Sequence, residues 1–299
     1  MTTELVGTTS AEVASVIARE RRRTGAGLVG MVLTLVVVTD ERGHYDAVRA
    51  ANDAAMEHPH RVLAVVTRAP KEKPRLDAEV GVGTRANPGE TVVLRLYGSL
   101  GQHADSVVLP LLLPDAPVVA WWPGDAPTVP AESAVGGLAN RRVTDAAASP
   151  RPLAALRERL TCLAAGDTDL AWSRLTPWRT LLAAALDEPF DPVVSGTVAA
   201  ARNNPSAVLL AAWLRSRLGV PVDVRGSRGP GITEVRLSSQ RGDLVVSRPD
   251  GLRAVLSRPG QPDRNVALPR RETADLLAEE LRRLDDDEVY AETLRAAFA

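Results

Sequence analysis

The run MVLTLVVV at residues 31–38 decides the fold of this chain. It is almost continuously apolar and rich in β-branched residues, a pattern typical of a strand buried on both faces of a parallel sheet. The segment from His44 to Glu57 has the spacing of an amphipathic helix, and RVLAVVT at residues 61–67 has the pattern of a second buried strand. Together these segments predict a βαβ unit, with helices covering both faces of the sheet.

The rest of the N-terminal part continues this alternation. Thr9 and Glu12 form a capping box and predict a first helix. Residues 69–90 are polar and interrupted by prolines, which favours a connection. Further short strands are predicted at residues 91–97 and 117–121. We therefore expect residues 1–190 to form an α/β domain with a mainly parallel sheet flanked by helices.

The C-terminal part has a different pattern. Asn204 and Pro205 form an N-cap and first-turn pair, which predicts a helix that ends at Gly219. Between residues 220 and 268, short alternating runs separated by Gly and Pro predict an antiparallel meander, and two amphipathic helices follow. We expect residues 191–299 to form a smaller α+β domain, with the boundary at the DEPFDP break.

Composition narrows the class of protein. A chain of 299 residues is long enough for two domains, and a net charge of -1 gives no overall field that would attract nucleic acid. Cys162 is the only cysteine, which excludes an internal disulfide and fits a reducing compartment. The apolar runs are strand-sized, so we expect no membrane span. The expected location is the cytoplasm.

The sequence contains one match to a dinucleotide-binding motif. Gly25, Gly27 and Gly30 have the G-x-G-x-x-G spacing. That fingerprint requires a strand before it and a helix after it, whereas here a helix precedes and a strand follows. The sequence favours a helix-to-strand turn at this position, and no cofactor is predicted.

Motifs for catalysis or metal binding are not recognisable in the sequence. No pair of histidines has the i, i+4 spacing that would let two imidazoles share a zinc ion, and His58-Pro59-His60 reads as a helix-ending turn. Neither G-x-S-x-G nor S-x-x-K occurs, and Cys162 lies opposite the leucine stripe of its helix. We predict no catalytic residues and no metal ligands.

Arginine is in excess over acidic residues in the second predicted domain. The excess is local to residues 225–271, where four acidic residues (Glu234, Asp243, Asp250 and Asp263) stand against ten arginines: Arg225, Arg228, Arg236, Arg241, Arg248, Arg253, Arg258, Arg264, Arg270 and Arg271. No aromatic residue occurs between residues 220 and 268, so the stacking platforms of single-strand binders are missing. A phosphorylated metabolite or an acidic protein patch fits this region better than RNA, and a solvated face is the simplest interpretation.

Tryptophan is concentrated in two short segments. Interfaces concentrate Trp and Arg as anchors, although the same residues could close the core of a domain. Core packing and an interface are therefore equally good interpretations. The candidate partner-binding residues are Trp121, Trp122, Trp172, Arg174, Trp178 and Arg179.

These segments carry a resemblance to a known family. PLLLPDAPVVAWWPG at 110–124, DLAWSRLTPWR at 169–179 and NNPSAVLLAAWLRSRLG at 203–219 resemble the OpcA family of glucose-6-phosphate dehydrogenase assembly proteins. VLTLVVVTD and RAANDAAMEHPHRVLAVV near the N-terminus add to the match, so that the resemblance extends over nearly the whole chain.

The resemblance implies a function. Members of the family are described as non-catalytic partners that promote assembly of the dehydrogenase oligomer and raise its activity, which feeds NADPH production in the oxidative pentose phosphate pathway. The implied partner is therefore glucose-6-phosphate dehydrogenase, and self-association is left open. Photosynthetic members are associated with thiol control through thioredoxin; a lone Cys162 departs from that pattern because paired cysteines would be needed.

One alternative comes from another class of protein. An enzyme or sensor could bind a sugar phosphate or nucleotide in a site between the domains, using the arginines of the second domain. Binding of such a ligand to the isolated chain would distinguish this alternative from an assembly factor.

Overall fold

The computed structural model describes residues 2–25, 31–68, 72–84, 87–188 and 190–299. In this part of the chain the helices are α1 (Ser10–Thr24), α2 (His44–Ala54), α3 (Ala104–Val108), α4 (Pro152–Thr161), α5 (Leu170–Ser173), α6 (Thr176–Asp187), α7 (Pro205–Leu218), α8 (Thr273–Arg282) and α9 (Glu288–Ala297). The strands are β1 (Thr2–Leu5), β2 (Thr34–Thr39), β3 (Arg61–Thr67), β4 (Arg75–Thr84), β5 (Asn87–Tyr97), β6 (Val118–Trp121), β7 (Arg141–Thr144), β8 (Asp167–Asp169), β9 (Val193–Ala200), β10 (Val222–Gly226), β11 (Ile232–Ser239), β12 (Gly242–Ser247), β13 (Arg253–Ser257) and β14 (Arg264–Ala267).

The chain divides into two compact units, neither of which is continuous in sequence. Unit 1 comprises Met1–Asp145, Ala164–Thr168 and Thr273–Asp286, and unit 2 comprises Ala146–Leu163, Asp169–Glu272 and Asp287–Ala299. Residues 169–190 thus lie in unit 2. The single domain boundary that we predicted, with domains at 1–190 and 191–299, stays a prediction.

The sheet associated with unit 1 has the predicted mainly parallel character. Its strand order is β1-β4-β5-β3-β2-β6-β7-β8. The pairs from β5 through β3, β2 and β6 to β7 are parallel. When β2, β3, β5, β6, β7 and β8 are numbered 1 to 6 in chain order, their order in the sheet is 3-2-1-4-5-6. This is the strand order of a doubly wound dinucleotide-binding fold. Helix α2 packs against β2 and β3, which confirms the predicted βαβ unit.

The entry into β2 agrees with the sequence pattern. The Thr9 and Glu12 capping box is present at the start of α1, and the helix ends at Gly25 in the left-handed conformation with φ of 67°. A helix therefore precedes β2, as the sequence predicted when it favoured a helix-to-strand turn at the glycine motif. Residues 26–30, which hold the rest of the glycine motif, lie outside the described part of the chain.

A hairpin on one side of this sheet was not predicted. β4 pairs antiparallel with β5, and β1 pairs antiparallel with β4. Gly81 and Gly83 interrupt the side-chain alternation of β4, which made the polar segment at 69–90 read as a connection. The expectation for that segment was wrong because backbone pairing on both sides of β4 outweighs weak local propensity.

Unit 2 contains the predicted smaller sheet. β10 pairs parallel with β9, while β9, β11, β12, β13 and β14 pair antiparallel in succession. The expected meander is confirmed from β11 to β14, whereas its first predicted run became β10, which pairs parallel with β9. Helix α7 packs on β9 and β10; it begins at Asn204, whose side chain accepts the N–H of Ala207, and ends at Gly219, as predicted.

Buried ion pairs link the elements of unit 1. The Glu90 carboxylate on β5 is 1 % exposed and accepts from Arg61 Nη2 at 2.7 Å and from Arg21 Nε at 2.6 Å. Arg61 is itself buried on β3. Because a buried guanidinium requires a counter-charge, Glu90 holds the strand pair and the end of α1 together.

We expect Glu90→Gln to destabilise the protein by about 3 kcal/mol, because it leaves Arg61 buried without a counter-charge. Urea unfolding followed by circular dichroism measures the loss. The matched control is Glu57→Gln, which breaks an exposed pair with Arg282, whose side chains are 55 % and 62 % exposed. It should leave the midpoint nearly unchanged. Equal midpoints for the two variants would contradict the structural role of Glu90.

Candidate functional site

Folds with this strand order bind ligands outside the carboxyl ends of the strands flanking the switch point, which here are β2 and β6. The loop after β2 contains an acidic pair. Asp40 Oδ1 accepts the backbone N–H groups of Arg42 at 3.1 Å and Gly43 at 2.8 Å. The protein's own carboxylate thus occupies donors of the kind that a phosphate group would need.

The neighbouring carboxylate is also engaged. Glu41 pairs with Arg68 at 2.5 Å and lies 3.7 Å from Arg95. Hydrogen bonding from Arg68 lowers the pKa of the Glu41 carboxyl, which stays ionised at neutral pH. The backbone donors at this loop are therefore used by Asp40, and the charge of Glu41 is balanced by arginine side chains.

The first tryptophan pair lies inside unit 1. Trp121 ends β6, Trp122 follows it, and both side chains are buried. The backbone N–H of Trp122 donates to the backbone carbonyl of Val143 on β7 at 3.0 Å. No described residue accepts a hydrogen bond from Trp121 Nε1. Trp122 belongs to the apolar core of unit 1, and neither indole is exposed to solvent.

The other candidate residues come together in unit 2. Trp172 and Trp178 are buried, and Trp172 Nε1 donates to Asp287 Oδ2 at 2.7 Å. The Arg179 guanidinium lies 3.7 Å from the centroid of the Trp172 ring, which is a cation–π contact. Arg174 is half-buried and lines a pocket.

The structure thus groups four of the six candidates in unit 2 and places the other two in unit 1. Their proposed contact with a partner stays a prediction. All four indoles are buried, so that only Arg174 and Arg179, both partly exposed, reach a surface without rearrangement of a core.

A pocket of about 280 Å³ lies entirely within unit 2. It opens between the start of α7, the beginning of β11, the end of β12 and the segment after β14. Sequence reasoning noted the arginine excess of this region but did not place the pocket. The Asn204-Pro205 helix start and the Arg270-Arg271 pair were its visible signals. The lining residues are Ala147, Pro152, Arg174, Pro177, Trp178, Ala201, Arg202, Asn203, Asn204, Pro205, Ser206, Gly231, Ile232, Arg248, Pro269, Arg270 and Arg271.

The remaining reactive side chains occupy ordinary positions. Cys162 follows α4, is half-buried, and its thiol lies 3.2 Å from the carbonyl oxygen of Glu158. Within the described ranges, no group of three or more His, Cys, Asp or Glu side chains is arranged to hold a metal ion. Over the same ranges, no helix is long and apolar enough to cross a membrane.

The fold and these sites define a doubly wound α/β protein joined to a second unit with a largely antiparallel sheet. Two family models match it. One describes the N-terminal domain of a glucose-6-phosphate dehydrogenase subunit and matches residues 51–161; the other describes the C-terminal domain of the same kind of protein and matches residues 165–294. The chain belongs to the OpcA family of glucose-6-phosphate dehydrogenase assembly proteins. No curated protein matches the sequence.

Two of the solved structures to which the chain is similar are described as oxidoreductases. The 3-ketoreductase KijD10 from Actinomadura kijaniata, with NADP and TDP-benzene, matches with a TM-score of 0.50 at 12% identity, over 89% of this chain and 95% of that one. UDP-N-acetylglucosamine 3-dehydrogenase from Acidithiobacillus ferrooxidans matches at 0.41 and 14% identity, over 89% of this chain and 95% of its own. At such identities the likeness is one of fold.

We expect Asp287→Ala to lower the free energy of unfolding by about 2 kcal/mol, because Asp287 both accepts from the Trp172 indole and caps α9 through the N–H of Tyr290. Thermal unfolding followed by tryptophan fluorescence measures the change.

The control for this prediction is Asp286→Ala, since Asp286 is exposed and its side chain makes no hydrogen bond in the described part of the chain. A similar loss in both variants would show that the effect comes from the charge of the segment rather than from the Trp172 contact.

Proposed function

We propose that this protein is a non-catalytic partner of glucose-6-phosphate dehydrogenase that favours the active oligomer of the enzyme. The observation that carries the proposal is the pair of family models, one for each half of a dehydrogenase-associated protein, which together extend over residues 51–294. The proposed place of action is the cytoplasm, which the single cysteine favours.

The loop after β2 supports a non-catalytic role. Oxidoreductases with this fold need backbone donors and compatible charge at the switch point to hold a dinucleotide. Here Asp40 takes those donors and Glu41 is held ionised by Arg68. The backbone donors that a nucleotide would need at that position are thus used by the protein itself, and an enzyme using the same nucleotide site is the weaker hypothesis.

The proposed mechanism is thermodynamic. A partner that binds the competent form of an enzyme more tightly than the incompetent form shifts the population toward the competent one. A coupling free energy of about 1 to 3 kcal/mol changes apparent substrate affinity roughly 5- to 150-fold. Increased NADPH production in the oxidative pentose phosphate pathway would follow from that shift alone.

The six candidate residues enter this proposal in two ways. Arg174 and Arg179 are partly exposed and could contact the dehydrogenase directly. The tryptophans would contribute by fixing the surfaces above them, because bringing a buried indole to an interface first costs the packing of its own core. Trp172, which is hydrogen-bonded to Asp287 and covered by Arg179, is the most strongly held.

Mixing the purified chain with purified glucose-6-phosphate dehydrogenase should give a complex of larger mass and a lower KM for glucose 6-phosphate. Analytical ultracentrifugation measures the mass and initial rates measure the KM. The chain alone should show no dehydrogenase activity, which is the control for catalysis. Unchanged mass together with unchanged kinetics over a wide range of mixing ratios would overturn the proposal.

A further inference from the structure

We propose that the pocket at the start of α7 binds the phosphate group of a small molecule, and that this is a ligand site of the chain itself. The inference stands on the geometry of unit 2 and does not depend on the proposed dehydrogenase partner. Five of the lining residues are arginines and none is acidic.

Arg248 lies in the wall of the pocket and is 5% exposed. Its Nη1 donates to the Leu268 carbonyl at 2.7 Å and its Nη2 to the Ile232 carbonyl at 3.1 Å, while Nε has no hydrogen-bond partner among the described residues. The guanidinium also lies 4.9 Å from the centroid of the Trp178 ring. Two backbone carbonyls and the Trp178 ring thus contact the Arg248 guanidinium, but no carboxylate of the described residues forms an ion pair with it.

The other buried arginines of the chain differ from Arg248 in this respect. Each of them has a carboxylate within 4 Å in the described ranges. Those pairs are Arg61 with Glu90, Arg141 with Glu280, Arg142 with Asp167, Arg159 with Glu158, and Arg258 with Glu188. Arg248 has no such carboxylate in the part of the chain that is described. A buried cation without its ion is costly, so the arrangement is complete only when an anion is present.

The surroundings of Arg248 make its positive charge still less favourable without a counter-ion. Burial lowers the pKa of the Arg248 guanidinium, and the charge of the nearby Arg270 lowers it further. Asp250, which acts in the opposite direction, already accepts the backbone N–H groups of Leu252 and Arg253. A bound anion would relieve the repulsion between Arg248 and Arg270.

The other arginines of unit 2 fall into two groups. Many residues of the predicted basic region are neutralised: Arg236 pairs with Glu234 and Asp243, and Arg264 pairs with Glu188. By contrast, the exposed side chains of Arg202 and Arg270 make no hydrogen bond or ion pair with described residues. Both line the pocket, and both are available to a ligand.

The start of α7 forms another part of the pocket wall. This helix has 14 residues, and Asn204, Pro205 and Ser206 at its start line the pocket. N–H groups in the first turn lack intrahelical acceptors, and the helix dipole favours negative charge there. Pro205 has no N–H and the Asn204 side chain accepts the N–H of Ala207, so the backbone donor of the first turn that is left for a ligand is the N–H of Ser206. The helix start and the buried Arg248 therefore favour the same kind of ligand.

The size of the pocket limits what this ligand can be. A volume of about 280 Å³ is at the lower end of ligand pockets, which run from about 300 to 1,000 Å³. Inorganic phosphate or a phosphorylated monosaccharide fits this space, whereas a dinucleotide is too large. The apolar faces of Trp178, Pro177 and Ile232 offer a surface for the carbon skeleton of a sugar.

The test measures binding to the isolated full-length chain by calorimetry and thermal shift. The probes are potassium phosphate, glucose 6-phosphate and glucose, with potassium chloride at equal ionic strength as the salt control. We expect both phosphates to bind saturably. Tm should rise by about 3 °C when either phosphate exceeds its Kd tenfold. Tighter binding of glucose 6-phosphate would assign the site to a phosphate ester, and equal binding would assign it to free phosphate.

Three variants locate the site. Arg202→Gln and Arg270→Gln remove exposed side chains without described partners, so both variants should fold and each should weaken phosphate binding about tenfold. The matched control is Arg217→Gln, which removes the same charge from the last turn of α7, where the side chain is exposed and 3.7 Å from Glu292. It should bind phosphate like the unchanged protein.

Three results would overturn the inference. The first is the absence of saturable binding of either phosphate at millimolar concentrations. The second is an equal loss in Arg217→Gln, because general electrostatics would then account for binding. If Arg202→Gln and Arg270→Gln weakened only a complex with the dehydrogenase and left phosphate binding unchanged, the pocket would be a protein contact. That outcome would also reject the ligand site.

Discussion

Burial of arginine is the constraint on which both units depend. A guanidinium removed from water has to be matched by an oxygen of opposite charge, or the fold loses stability. In unit 1, Arg141 on β7 forms an ion pair with Glu280 on α8 at 2.5 Å. A helix near the end of the chain is thereby attached to a strand from its middle. In unit 2, Arg258 pairs with Glu188 at 2.8 Å and bonds the carbonyl of Ala185 at the end of α6. These pairings fix which sequence-distant segments belong to each unit.

Hydrogen bonds in the loop after β2 bear on the proposed role of the chain. Asp40 caps donors within its own loop and Glu41 is fixed by Arg68. The protein itself therefore uses backbone donors that a dinucleotide would need at the switch point of such a fold. This supports the proposed role as a binding partner.

Sequence patterns predicted the elements that are locally determined. RVLAVVT became β3, and the Asn204 N-cap and Gly219 bounded α7 as expected, because period and capping are short-range signals. β4 was missed because its glycines interrupt the side-chain alternation, and because one of the strands that pair with it, β1, lies far away in sequence. The hydrogen bond of the Trp172 indole could not be predicted either, because its partner Asp287 lies 115 positions away in the sequence. Arginine content was visible, but only the three-dimensional pairing distinguishes Arg236, which is neutralised, from Arg248, which is not.

The proposed preference of the chain for the competent form of the dehydrogenase is tested most directly by reciprocity. The measurement is the Kd of the complex between the two proteins with and without saturating glucose 6-phosphate, beside the Kd of the dehydrogenase for glucose 6-phosphate with and without the chain. An Arg270→Gln chain is used so that binding to its own pocket contributes less. A preference for the competent form predicts the same factor of tightening in both directions. A rise in enzyme activity with no effect of substrate on the affinity of the two proteins would contradict it.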